Sequence, residues 1–551
     1  MSHRKVLFVA LTGMAITVAG MVPAQAAPPA KRYLVEFVAG KAANGKAALK
    51  AANAVIKVDL SSHNAVAAQI PDGKVGAIAG HPSVRSVEID ERRYPISMVR
   101  TLPSGADKGV AADGSSAPEV IPYGVTMVQA EGFRGNVAGD MKVCVIDSGY
   151  DLGHEDKPGA PVVTGTDDLD GSGPWTEDGS GHGTHVSGTI NALDNSIGVI
   201  GVFPSVPMHV VRVFGDDGIW AYSSELIDAV DDCVAHGAKV INMSLGGELP
   251  TVLENKVFLK ALKGGVLSIA AAGNGGDGRV CDIWAGGRPE RQSCRMHYPA
   301  SYGSVMSVAA VDEDKNLADF SQINTKVEIA APGVSVLSTV PTGSMMDVTL
   351  QSGLGTTTVV PMDNFPIPAA PVSGNLVDCG LGGTAAACGD AKGKICLIER
   401  GGMIPFAVKA VSCETAGGVG AVVFQMEGEA GPVLGTLGET QVKIPVVGAD
   451  RTAGLALRAD YIGTPATLSF VLSGYDYDYF SGTSMATPHV AGVAALIWSR
   501  HPECGPTDIR NAMNATAVDL GPGGRDRFFG HGLVQARAAD EHLKSHACLG
   551  Y

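Results

Sequence analysis

Beyond its first two dozen residues the chain has no run of about eighteen uninterrupted apolar residues, which leaves no membrane-spanning helix in its body. Positive charge is scarce too: 41 Lys and Arg stand against 56 Asp and Glu, a formal net charge of -15. Residues 1–118 hold fourteen basic and eight acidic residues, so the remainder carries about -21. So acidic and glycine-rich a body is a poor match for a phosphate backbone, which argues against nucleic acid as partner. His182 and His185 are three apart, but no glutamate follows as it would in a zinc protease, and Gly183 between them suits a loop rather than a ligand helix.

What is present begins with a basic start, Met1-Ser2-His3-Arg4-Lys5, an apolar run over 6–22, and Ala24-Gln25-Ala26. That pattern predicts a secretory signal over 1–26 and a secreted protein without an anchor once mature, acting as a monomer. The length exceeds what one core fills, so two or more domains are expected. Ten cysteines in an exported chain predict disulfides. Proximity suggests Cys281–Cys294, Cys379–Cys388, Cys396–Cys413 and Cys504–Cys548. Cys144 and Cys233 are left over, either as a bridge or as buried thiols.

Four segments carry chemistry. An apolar run over 143–146 ends in Asp147; Gly181-His182-Gly183-Thr184-His185 lies downstream; Gly482-Thr483-Ser484-Met485-Ala486-Thr487-Pro488-His489 opens an apolar helix far beyond. A serine hydroxyl is a poor nucleophile until a base takes its proton, and neutral imidazole can do so near pH 7. A carboxylate then fixes the tautomer and stabilises the imidazolium. Asp147, His182 and Ser484 therefore form a candidate triad in one of its known chain orders. The fourth segment is an apolar strand ending in Gly273-Asn274, whose side-chain amide can donate to an oxyanion. His185 and His489 read as structural. Asn242-Met243-Ser244 fits a glycosylation pattern but lies in an apolar run and reads as strand.

These segments resemble those of the subtilisin-like serine proteases (subtilases, peptidase family S8), over 118–340 and 474–551. The resemblance implies a subtilisin-like three-layer α/β/α parallel sheet. Apolar strands over 143–146, 208–213, 240–243, 266–271 and 305–310, with helix-length stretches over 182–193, 223–236 and 251–262, agree with it. It also implies that Asp147, His182 and Ser484 are catalytic with Asn274 as oxyanion donor. Gly218, Ile219 and Trp220 on one side, and Ser244, Leu245 and Gly246 on the other, are the strands expected to sandwich an extended substrate. His297 falls where the family lines the floor of its primary specificity pocket. A structural Ca2+ is implied, held by carbonyls of Leu193, Ile197 and Val199 and side chains of Asn195, Asp156 and Glu119. No organic cofactor is expected.

Residues 27–117 resemble the α+β ferredoxin-like inhibitory propeptide of that family, followed by a linker: strand over 33–38, helix over 41–52, strand over 64–70, short helix over 72–80, strand over 84–89. The propeptide is thus the expected intramolecular inhibitor, with processing between 98 and 119. Residues 341–473 resemble the mainly β protease-associated (PA) domain, and carry no nucleophile or metal cluster. The implied function is a secreted, self-processing serine endopeptidase acting on protein or peptide substrates. The alternatives are a substrate-specific processing protease, or a catalytically silent binding protein on the same frame.

Overall fold

The computed structural model describes residues 31–96, 99–100, 119–136, 139–167, 173–215, 221–275, 282–285, 288–291, 296–343, 346–362, 368–402, 404–427, 432–433, 437, 442–472, 476–546 and 548. The expected signal segment, nearly all of the linker, Gly218, Ile219, Trp220, Cys281 and Cys294 lie outside these.

Seven parallel strands make the central sheet, in the order Ile329–Pro332, Val305–Val311, Leu267–Ala271, Val240–Met243, Val143–Asp147, Met208–Arg212, Val163–Thr166. Its inner strands are buried throughout, which is why they read as continuous apolar runs. Alternate residues feed opposite cores. Val143, Val145 and Val240 pack with the helices His182–Asn191 and Thr483–Arg500; Cys144, Ile146 and Ile241 pack with Ser223–Ala235 and Val252–Lys263. The result is the α/β/α arrangement of a subtilisin-like fold.

Cys144 and Cys233 are bonded, tying the central strand to the helix that covers it across 89 residues of sequence. The chain-entropy account puts such a closure at about 4.6 kcal/mol. Replacing both by serine should lower unfolding stability by about that much, read by denaturant titration; an unchanged midpoint would refute it. The other described pairs, Cys379–Cys388, Cys396–Cys413 and Cys504–Cys548, are those expected from proximity.

Residues 31–96 form a separate unit: an antiparallel sheet in the order Val55–Leu60, Ala65–Gln69, Arg32–Phe37, Val84–Ile89, with helices Ala42–Ala51 and Val75–Ala79. Leu34, Val58, Leu60, Ala65 and Ala67 join the core of the Ser223–Ala235 and Val252–Lys263 helices. Carboxylates complete the contact. Glu88 accepts the backbone N–H groups of Val252 and Leu253 (2.8 and 3.0 Å), and Asp90 accepts the backbone N–H and the side-chain hydroxyl of Ser224 (2.9 and 2.7 Å). Each places negative charge on a helix N-terminus, where unpaired N–H groups and the helix dipole favour it. Arg32 bridges Asp90 and Glu225 (2.8 and 2.9 Å).

The inserted segment builds its own eight-stranded sheet, Gly355–Thr358, Met346–Ser352, Pro465–Leu472, Val372–Asp378, Ile395–Glu399, Gly420–Phe424, Val446–Ala449, Val360–Pro361, around two cores of its own. Val336–Thr339 and Tyr477–Ser481, just before and after it, pair antiparallel with Thr339 opposite Tyr477. Entry and exit are therefore neighbours, and a whole domain fits between them without parting the strands of the main fold.

Candidate active site

Asp147 ends its strand at the carboxyl edge of the parallel sheet, where loops gather chemistry in such folds. His182 opens the helix His182–Asn191, and its Nδ1 lies 2.7 Å from Asp147 Oδ1. Both side chains are buried. Two glycines permit the approach. Gly181 adopts φ +77°, and a Cβ on Gly183 would sit 2.3 Å from the Gly149 carbonyl oxygen. The sequence reading of Gly183 as a loop residue is thus corrected: it lies in the first helical turn, where its value is close packing.

Residues not singled out from sequence hold this pair. Asp178 Oδ2 accepts Thr184 N and Oγ1 (2.7 and 2.8 Å), and its Oδ1 accepts Gly181 N (3.0 Å) and Ser148 Oγ (2.8 Å). Ser148 N donates to Asp147 Oδ1 at 2.8 Å. An acidic residue four before His182, ahead of a helix, is a capping signal that could have flagged Asp178.

Ser484 lies in the first turn of the buried helix Thr483–Arg500. Asn274 faces that turn. Its Oδ1 accepts Thr483 N and Oγ1 (2.9 and 2.8 Å), which orients the amide and leaves Nδ2 as its donor end. His185 and His489 are fully buried; His185 stacks on Phe480 and His489 Nδ1 bonds to the Met485 carbonyl (2.8 Å). Burial pushes them down to about 3 and about 4, so neither gains a proton near neutrality.

The N-terminal unit ends inside this site. Arg92–Pro95 forms the middle strand of a small antiparallel sheet between Ala221–Tyr222 and Leu245–Gly246. Ile96 N donates to the Ser244 carbonyl (3.2 Å), and Ser484 Oγ donates to the Ile96 carbonyl oxygen at 2.9 Å. Just beyond, Val99–Arg100 pairs with Tyr477–Ser481. The segment over 92–96 thus reaches Ser484 between the expected strand Ser244, Leu245, Gly246 and a second that includes Ala221 and Tyr222. The Ile96 side chain is directed at Gly246, where an added Cβ would come 3.4 Å from Ile96 Cδ1 and 3.1 Å from His297 Nδ1. His297 therefore lies beside Gly246 and close to the Ile96 side chain.

The expected metal residues also converge. Asp156 Oδ2 accepts Val199 N (2.9 Å), Glu119 Oε1 accepts Asn195 N and Ser196 N (2.7 and 3.1 Å), and Asn195 Oδ1 accepts Ile197 N (3.0 Å). Leu193 N bonds to the Asp156 carbonyl (3.0 Å). Asp156 Oδ1 is buried with no hydrogen-bond partner among the described residues. Burial, and then repulsion from Glu119, push Asp156 up to about 7 against the hydrogen bond from Val199. A buried, unsatisfied carboxylate oxygen beside a second carboxylate fits a hard cation.

Comparison with known proteins gives the family. The subtilase family (Peptidase_S8) matches residues 139–365 and 437–532, and the PA domain matches 372–457. Subtilisin DY of Bacillus licheniformis is 38% identical over 231 residues, 41% of this chain and 77% of that protein. Subtilisin E of Bacillus subtilis is 32% identical over 323 residues, 57% of this chain and 74% of that protein. The crystal structure of the psychrophilic subtilisin-like protease Apa1 from the Antarctic psychrotroph Pseudoalteromonas sp. AS-11 is similar at 41% identity and a TM-score of 0.51, covering 79% of this chain and all (100%) of that one. Fervidolysin from Fervidobacterium pennivorans shares the fold at 21% identity and a TM-score of 0.57, over 93% of this chain and 61% of its own. The chain belongs to the subtilase family: it is a subtilisin-like serine endopeptidase that carries a PA domain within its catalytic fold.

Proposed function

We propose that this chain is a secreted zymogen whose first act is to cut itself after Ile96, releasing an endopeptidase for proteins. The observation that carries the reading is the Ile96 carbonyl, bonded to Ser484 Oγ at 2.9 Å in a strand paired on both sides. Ser484 Oγ attacks that carbon as His182 takes its proton, with Asp147 holding the imidazole. Asn274 Nδ2 and the Ser484 N–H receive the oxyanion. His182 then protonates the departing amine of Ser97, and water hydrolyses the acyl-enzyme. The scissile bond falls just upstream of the window 98–119 read from composition. The sheet register, not linker character, supports that shift.

After the cut, residues 31–96 retain their helix-capping carboxylates, the buried ion pairs and the apolar face, so they stay as inhibitor. The test is the N-terminus of the wild-type product: sequencing should begin at Ser97. A first N-terminus elsewhere in the chain would overturn the assignment of Ile96.

Glu119, Asp156, Asn195 and the carbonyls of Leu193, Ile197 and Val199 would hold a calcium ion, which supplies positive charge to two facing carboxylates. Excess chelator should lower the melting temperature, with calcium restoring it, because a ligand bound only to the folded state stabilises it by mass action. An unchanged melting curve in chelator would count against the site.

A further inference from the structure

Resting on the peptidase reading above, we propose that the cleft selects arginine at the fourth residue upstream of the cut bond, and that Glu254 is the side chain that reads it. Counting Ile96 as the first residue, the fourth is Arg93. It is 0% exposed although it sits in a segment that must leave the cleft before another substrate can enter. Its Nε and Nη2 donate to Glu254 Oε1 and Oε2 (2.9 and 2.5 Å), a two-pronged pairing of guanidinium with carboxylate.

The other parts of that pocket come from the enzyme body. Glu254, itself 0% exposed, lies in the first turn of Val252–Lys263, where the helix N-terminus favours its charge. Tyr302 donates its hydroxyl to Glu254 Oε2 (2.6 Å) and accepts from Thr251 N (2.9 Å). A Cβ on Gly247 would fall 2.4 Å from the Arg92 carbonyl oxygen and 2.9 Å from Arg93 Nη1, so only glycine lets the upstream strand lie this close. None of these groups departs with residues 31–96. Glu254 therefore stays at the floor of the cleft when that segment leaves, and a substrate side chain seated there buries its carboxylate again.

The next substrate meets that carboxylate. Arginine satisfies both oxygens. An apolar residue covers a buried charge and offers no counter-charge, a large penalty in a dry site. Lysine brings a single point charge without the planar fork. The inhibitor's own end, Arg92-Arg93-Tyr94-Pro95-Ile96, is then a template for preferred substrates: arginine fourth, an apolar residue first.

The test compares kcat/KM of self-processed wild type on the peptide Glu-Arg-Arg-Tyr-Pro-Ile-Ser-Met and on versions with Leu or Lys at the second arginine. Arg over Leu should be favoured about 100-fold, and Arg over Lys about 10-fold. Glu254→Gln should bring the Arg/Leu ratio to within about threefold, and Glu254→Leu should reverse it. Wild type that digests casein yet shows a ratio within about threefold would overturn this inference alone. Wild type that digests neither casein nor the peptides would overturn the peptidase reading, and this inference with it. Because the peptide comparison is made on wild type, it decides the matter even where the Glu254 variants fail to fold.

Discussion

The Ser484→Ala chain should remain full length from residue 27 onward and leave casein intact, with turnover lower than wild type by about 10⁶. The size follows from how triad members act. Asp147 and His182 are already joined at 2.7 Å, and in the proposed mechanism their work is to accept one proton, the one on Ser484 Oγ. Without that oxygen the pair has no nucleophile to activate, and only positioning and oxyanion binding are left. Self-cleavage and casein digestion must fail together, because a single serine lies at 2.9 Å from the Ile96 carbonyl. Intact mass and casein hydrolysis on parallel preparations read both. If the variant still shed its first 96 residues under purified conditions, cleavage would belong to another protease. If wild type itself stayed whole and inert, the alternative of a catalytically silent binding protein would gain ground.

How much of this was legible in the sequence depends on how local each signal is. Asp147, His182, Asn274 and Ser484 each stand in a short pattern that fixes its own backbone: the end of an apolar strand, a glycine-flanked helix start, a Gly-Asn turn, a buried helix mouth. The residues proposed to hold calcium could be named as a group for the same reason, since most belong to one loop over 193–199. The partnership of Arg93 with Glu254 was not, because the two lie 161 residues apart and neither has a local pattern that names the other. Only the folding of the N-terminal unit onto two helices brings them together.

The strand Val55–Leu60 was missed for a different reason. It is an edge strand: Ile56, Val58 and Leu60 alternate with Lys57 and Asp59, but the run is short and only Val58 and Leu60 are buried, so it does not stand out beside the Ala-rich helix before it. Cys144 and Cys233 were left open because the bond joins a strand to its covering helix, a contact that depends on packing. The cut proposed after Ile96 lies upstream of the window read from composition, because composition marks a linker whereas the proposal rests on the register of Tyr94 opposite Gly246 and Pro95 opposite Leu245.

Asn274→Ala should reduce kcat by about 10²–10³ while changing KM little, a loss of about 3–4 kcal/mol confined to the transition state. The argument rests on orientation. Two donors from Thr483 hold Oδ1, at 2.9 and 2.8 Å, and Gly273 N donates to Thr483 Oγ1 at 3.2 Å. These bonds fix which end of the amide faces Thr483, and the proposed mechanism gives its N–H end to the oxyanion. Such a donor is worth most when the carbonyl oxygen becomes an anion, because it then needs no reorganisation. Thr483→Val, which removes one of the two restraints and keeps the other, should cost less than Asn274→Ala, about tenfold in kcat. Asn274→Asp should be at least as damaging as alanine, since it sets a carboxylate where a donor was. Steady-state kinetics on one peptide with all three variants checks the order. A rise in KM with kcat preserved would place Asn274 in ground-state binding and remove it from the oxyanion's support.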